Sequence, residues 1–211
     1  MKVFALAGII GPIWFIVLVV VQGVLQPDYS HIAMPISALS AWPLGWLQNL
    51  NFFVFATLMA AFALGLQAVI RPTPFGLVGI ALLLASSVGA FMAGVFHWVN
   101  LDGIPTETPQ HVVAAVLTFA SAATGLIVLA RRMTTDSRWQ DLATYVLGTG
   151  VVMLMLFIIL GAFAIREGTA LHQWVGLLQR VLLAVWFPCV FVMASRALHV
   201  VRSDLVSPST R

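Results

Sequence analysis

Six long apolar runs constrain this chain more than any other feature. They occupy Val3–Leu25, Trp46–Ile70, Phe75–Val99, Val112–Ala130, Leu142–Ile165 and Val175–Leu198. Each reaches the ~20 residues that a helix needs to cross a hydrocarbon layer ~30 Å thick. Backbone polar groups in lipid have to be satisfied within the segment, and no alternating pattern suggests a barrel, so the runs are predicted to be helices. Of the 211 residues, 61% are hydrophobic and 8% charged, which excludes an ordinary soluble domain. The expected fold is all-α: a polytopic membrane protein forming one six-transmembrane-helix bundle over residues 1–200. A short cytoplasmic tail, 201–211, is expected to be disordered.

The first run follows Lys2 but is too long for a signal peptide and no small-residue cleavage site closes it, so it is read as a retained helix. The single cysteine, Cys189, excludes an intrachain disulfide. Given these spans, eight of the ten basic residues fall on one side: Lys2, Arg71, Arg131, Arg132, Arg138, Arg196, Arg202 and Arg211. Only Arg166 and the intrahelical Arg180 remain for the other. The excess of basic residues in cytoplasmic loops then places the N and C termini in the cytoplasm of a multi-pass cell-membrane protein. The net charge of +3 is thereby a topology signal. It calls for membrane lipids as partners and for no nucleic acid, and leaves open a homo-oligomer or a membrane protein partner. Trp42, Trp46, Trp98 and Trp174 are expected at the outer interface and Trp139 at the inner one.

Arg180 lies within the last run, where an unpaired charge is costly enough to mark a functional site. His172, Gly176, Gln179 and Arg180 share one side of that helix, and Gln48 and Asn51 enter from helix 2 at similar depth. The options for satisfying Arg180 are an outer-loop acid (Asp102 first, Glu107 second), amide oxygens of Gln48 and Asn51, or an anionic ligand, which a planar guanidinium binds bidentately. The outer loops are rich in proline and serine, with Pro27, Pro35, Pro43, Pro105 and Pro109 beside Ser30, Ser37 and Ser40, which implies a rigid lid. Small residues line helix 3 (Ser86, Ala90, Ala93) and helix 4 (Ala114, Thr118, Ser121, Gly125), in the manner of closely packed membrane helices.

Several of these residues also carry a likeness. Pro35-Ile36-Ser37-Ala38-Leu39-Ser40, then Pro43-Leu44-Gly45-Trp46-Leu47-Gln48 followed by Asn51-Phe52, and finally Gly176-Leu177-Leu178-Gln179-Arg180 resemble the recurring motifs of domain-of-unknown-function family 998. The family consists of multi-helix bacterial and archaeal membrane proteins. The resemblance covers nearly the whole chain, implies six helices and stresses the loop 1, helix 2 and Arg180 positions. It brings no catalytic residues with it.

The leading functional expectation is a polar pocket in the outer half, binding an amphipathic anionic lipid or similar small molecule in a non-catalytic or accessory role. Its binding residues would be Arg180, Gln48, Asn51, Gln179, Ser37 and Ser40, with the small face of helix 3 taking the acyl part. One alternative is a metal-dependent membrane-embedded hydrolase. Its zinc would be held by His97, His111, His172 and Asp102, assembled from separate loops because no short His spacing occurs. Haem between facing histidines is a weaker cofactor reading, because His199 has no partner near the inner face. A small transporter, with helices 1 and 6 broken at Pro12 and Pro188, is the remaining alternative.

Overall fold

The computed structural model describes residues 2–70, 73–164 and 168–206. Six long helices dominate it: α1 (Lys2–Leu25), α2 (Gly45–Val69), α3 (Pro74–Val95), α4 (Pro109–Met133), α5 (Ala143–Ile159) and α6 (Val175–Val206). All six coincide with the apolar runs and are long and apolar enough to cross a membrane. The chain is an all-α, multi-pass membrane protein. Large apolar side chains such as Ile13, Val78, Val113 and Ile158 point outward and are exposed. In water such a surface would aggregate, whereas in lipid it is the solvent-compatible face.

Several boundaries moved, each for a local chemical reason. Helices α3 and α4 start at Thr-Pro pairs. Thr73 Oγ1 accepts from the Gly76 amide at 3.2 Å and Thr108 Oγ1 from the His111 amide at 3.4 Å. The following proline suits the first turn because it lacks an N–H to satisfy. Helix α3 stops at Val95 rather than Val99, because Val99–Leu101 and Ile104–Thr106 form an antiparallel hairpin, β1 and β2. Its turn is Asp102-Gly103, with φ of 51° and 88°. Two successive positive φ angles match the right-handed twist of a hairpin, and Asp-Gly adopts them readily. Helix α5 ends in a π-helical turn, Leu160–Ala164. Helix α6 continues to Val206, and the rest of the expected tail lies outside the described residues. So do Arg71, Arg166 and Arg211, which entered the orientation reading.

Neighbouring helices pack in chain order, α1 on α2, α2 on α3, α3 on α4 and α4 on α5, and α6 closes the ring against α5 and α1. The α3–α4 contact is the most extensive and its cause is the small-residue seam. A Cβ at Gly89 would meet the Thr118 amide and the Ala114 carbonyl, and one at Gly79 would meet the Leu129 side chain. Close backbone approach increases dispersion contact, which has to hold membrane helices together because lipid supplies no hydrophobic drive between them. The contact between α5 and α6 is much smaller, and at its end Leu160 and Val175 form a separate apolar cluster with Leu178.

At one end of the bundle the α4–α5 connection is fastened by charge. Asp136, itself buried, pairs with Arg132 at 3.3 Å and Arg138 at 3.2 Å. Arg138 also donates to the Val69 carbonyl at 2.9 Å, fastening the end of α2. Arg196 of α6 donates to the Arg138 carbonyl at 2.8 Å and pairs with Asp141. Trp139, within this turn, is fully buried. Burial alone would raise the Asp136 pKa, but hydrogen bonds and charge from Arg138, with charge from Arg132, hold it below the ordinary carboxylate range. A depressed folded pKa stabilises the native state above the unfolded value of about 3.9, and this contribution disappears as the pH falls through the folded value. Asp136→Asn, which leaves two arginines without their buried counter-charge, should destabilise the protein by about 3 kcal/mol. Thermal unfolding in detergent should show this loss at neutral pH and a smaller difference from wild type under strong acid.

Candidate functional site: a pinned cap over an aromatic cavity

The opposite end is closed by a cap made of the α1–α2 connection. Its 3₁₀ segment, Ile36–Ala41, is buried throughout. Two glycines admit the cap to the helices. A Cβ at Gly176 would overlap the Met34 carbonyl, and one at Gly45 would overlap the Ser40 carbonyl. The first turn of α6 has amides without helical partners, and the cap supplies one acceptor: the Leu177 amide donates to the Ile32 carbonyl at 2.9 Å. Gln179 completes the join, its Oε1 accepting from the Ile36 amide at 2.6 Å. Ser40 Oγ donates to the Ser37 carbonyl at 2.7 Å and accepts from the Trp98 amide at 3.1 Å, linking the cap to the β-hairpin segment.

Arg180 is the pin of this assembly. Nη1 donates to the carbonyls of Gly176 at 2.9 Å and Met34 at 3.3 Å, and Nη2 donates to the Tyr29 hydroxyl at 2.7 Å and His31 Nδ1 at 3.1 Å. Four of the five guanidinium N–H groups are thereby placed on neutral acceptors. The guanidinium carbon also stands 5.6 Å from the Tyr29 ring centre, a cation–π distance. Tyr29 passes the interaction on, since its hydroxyl lies 3.3 Å from the Met34 carbonyl and 3.2 Å from the Pro35 carbonyl. Because Arg180 can only donate, His31 Nδ1 is the acceptor and the ring proton sits on Nε2. Burial first, then the Arg180 charge, lowers the His31 pKa. Burial raises that of Tyr29, with Arg180 opposing, so both groups are neutral at pH 7.

These acceptors differ from the protein partners weighed from the sequence, the outer-loop acids and the amides of Gln48 and Asn51. Neither Asp102 nor Glu107 pairs with Arg180 among the described residues. Neither Tyr29 nor His31 was expected as a partner of Arg180, because only the fold of the connection brings them back to α6.

Gln48 and Asn51 lie elsewhere, fully buried between α1 and α2. Gln48 Oε1 accepts from Gln22 Nε2 at 3.3 Å and Asn51 Nδ2 at 3.4 Å, and Asn51 Nδ2 also reaches the Phe15 carbonyl at 3.2 Å. This polar seam and Arg180 do not line the cavity beneath the cap. Ser37 and Gln179 do.

The cavity has a volume of about 510 Å³ and is bounded by all six helices, the cap and the hairpin. Phe15, Phe52, Phe55, Phe119, Phe157 and Trp186 form its walls, and Ala90 and Ala93 of α3 leave room by their small size. Polar groups are few: Trp98, Glu107, His111 and His172 join Ser37, Thr118 and Gln179. The Thr118 hydroxyl donates within its own helix to the Ala114 carbonyl at 2.8 Å. Burial raises the Glu107 pKa and the nearby Trp98 indole partly opposes this. That indole nitrogen is nonetheless buried without a hydrogen bond of ordinary geometry. Buried His111 has its Nδ1 2.8 Å from the Phe96 carbonyl, so Nδ1 carries the proton and Nε2 is the ring's acceptor.

The histidines and acid considered for zinc do not assemble. Asp102 occupies the exposed hairpin turn, His97 Nδ1 lies 3.4 Å from the Val95 carbonyl, and His111 is held by Phe96. His172 opens the turn before α6. Among the described residues, no group of three or more His, Cys, Asp or Glu side chains is close enough to hold a metal ion.

The class defined by this architecture is a six-helix, multi-pass membrane protein with a capped aromatic cavity at one end. More particularly, the chain belongs to the family described as protein of unknown function (DUF998), whose family model matches residues 9–196. Comparison with curated proteins and with solved structures gives no match. The motifs that carried the resemblance now have a physical explanation, since Pro35–Ser40, Gly45, Gly176, Gln179 and Arg180 all meet where the cap is fastened.

Removing the pin should loosen the cap without dismantling the bundle. Ala38→Cys places a thiol at a buried cap position, and native Cys189 is buried too. Labelling of Ala38→Cys by a water-soluble maleimide should be slow, and at least about tenfold faster with Arg180→Ala added, as loss of one to two charge-assisted hydrogen bonds implies. Arg180→Lys should not restore protection, because one ammonium cannot reproduce the planar fork.

Proposed function

We propose that this protein is a non-catalytic binding or accessory component of the cell membrane, holding a single-chain amphipathic, lipid-class molecule in the capped cavity. The observation that carries this reading is the cavity itself. Its size falls within the range of small-molecule sites, and it combines aromatic walls with polar groups confined to a few positions. Each feature suits one part of an amphiphile: the walls take the chain, and Trp98, Glu107 and His111 take the polar group. The small α5–α6 contact and the π-helical end of α5 offer a sideways entry from the bilayer, and π-turns are frequent at functional positions. In the orientation favoured by the basic residues, the Asp136 end faces the cytoplasm and the cap faces outward, so the ligand would come from the outer leaflet. Membrane lipids are the proposed partners, and nothing in the basic balance calls for nucleic acid.

Filling the cavity tests the reading. Ala93→Phe projects a ring into it, while Val88→Phe adds the same ring on the exposed face of α3. Native mass spectrometry of protein gently extracted from its membrane should find a lipid-mass adduct on wild type and Val88→Phe, reduced at least about tenfold on Ala93→Phe, as steric exclusion from a preformed pocket implies. Equal adduct on all three would contradict the proposal.

A further inference from the structure

The cavity lining contains a carboxylate and no permanent cation among the described residues, which points to the headgroup. Among the described residues, no lysine or arginine lines it, whereas Glu107 does. Glu107 forms no ion pair among the described residues, although it lies near the buried Trp98 indole N–H. His111 is fixed with its proton on Nδ1 by the Phe96 carbonyl, so its remaining ring nitrogen can only accept. The nearest permanent cation, Arg180, is engaged by four acceptors in the cap and is absent from the lining. Ser37, Gln179, His172 and the Trp98 indole give the lining neutral donors as well as acceptors, so the carboxylate of Glu107, when ionised, is its one acidic charge among the described residues. The surrounding rings act in the same sense. Trp98 and Phe52 both stand beside His111, with ring centres 6.4 and 6.2 Å from its imidazole. Their faces are electron-rich and attract cations. An anionic headgroup would meet a carboxylate and no lysine or arginine among the described lining residues, and in a low-dielectric pocket that repulsion is poorly screened.

We infer that the cavity selects an amphiphile whose headgroup is a protonated amine, with Glu107 as its counter-charge and His111 as an additional acceptor. The assignment rests on the cavity-binding reading above and replaces the anionic ligand expected from the sequence with a cationic one. A bound ammonium offers three donors, enough for the Glu107 carboxylate and the free nitrogen of His111 together. Burial raises the Glu107 pKa and the arriving charge would offset this, so binding should weaken as acid neutralises the carboxylate, with His111 and His172 the other titratable side chains of the lining.

The test uses three probes of equal chain length, dodecylamine, dodecanol and dodecanoate, with the full chain in lipid nanodiscs at pH 7.5. Trp fluorescence reports binding, and the cavity-filled Ala93→Phe variant measures partitioning into the bilayer. After that subtraction, dodecylamine should bind at least about tenfold more tightly than dodecanol, with dodecanoate weakest, as a charge-assisted pair in a dry site implies. Glu107→Gln should remove that advantage, and a thermal unfolding midpoint close to that of wild type in the same nanodiscs would show that the variant is folded. Dodecanol binding as tightly as the amine, or an amine preference that survives Glu107→Gln, would overturn the headgroup assignment and leave the cavity reading standing. Tightest binding of dodecanoate would overturn it as well. Equal signals from wild type and Ala93→Phe for all three probes would overturn both.

Discussion

The guanidinium of Arg180 organises one whole end of this protein. A positive charge within an apolar helix has to be solvated by something, and here the protein does so with its own neutral oxygens and one imidazole nitrogen. Those acceptors belong to α6 itself and to the segment around Tyr29–Met34, so satisfying the charge folds the α1–α2 connection down onto α6. Gly176 permits the approach, and Gln179 extends the join to the start of the buried 3₁₀ segment. The roof of the cavity is a consequence of where one cation must find its hydrogen bonds.

The two ends use charge differently. Around Asp136, opposite charges pair under the turn and tie together α2, α4 and α6. At the cap, Arg180 has no carboxylate partner among the described residues and acts through directed hydrogen bonds. Between the ends, the glycine and alanine seam of α3 and α4 draws two helices tightly together. The same small residues, Ala90 and Ala93, open space one face over. Close packing and an internal cavity thus arise from one compositional device, read on neighbouring faces of a helix.

The fold was legible because membrane helices announce themselves by length and polarity, and all six runs became helices. The site was less so. Arg180, Gln179 and Ser37 could be marked as special because polar groups in or beside apolar helices need a reason. Which acceptors they would find depended on the path of the α1–α2 connection, and no periodicity encodes that path. Gln48 and Asn51 share depth with Arg180 in sequence, yet helix rotation turns them toward α1 and Gln22. Glu107 was considered only as a partner for Arg180, because loop residues seldom reveal burial. The hairpin was missed although Asp102-Gly103 is a strong local turn signal, since the apolar residues before it extended the helical pattern.

An experimental map of the protein purified from its own membrane, at a resolution that separates aromatic rings, would examine the cap and the cavity together. Elongated density is expected between Phe52 and Trp186 with its polar end beside Glu107, under a cap whose Tyr29 and His31 still hold Arg180. Side chains collapsed into the cavity, or density for a bound anion displacing Tyr29 from the guanidinium, would contradict it.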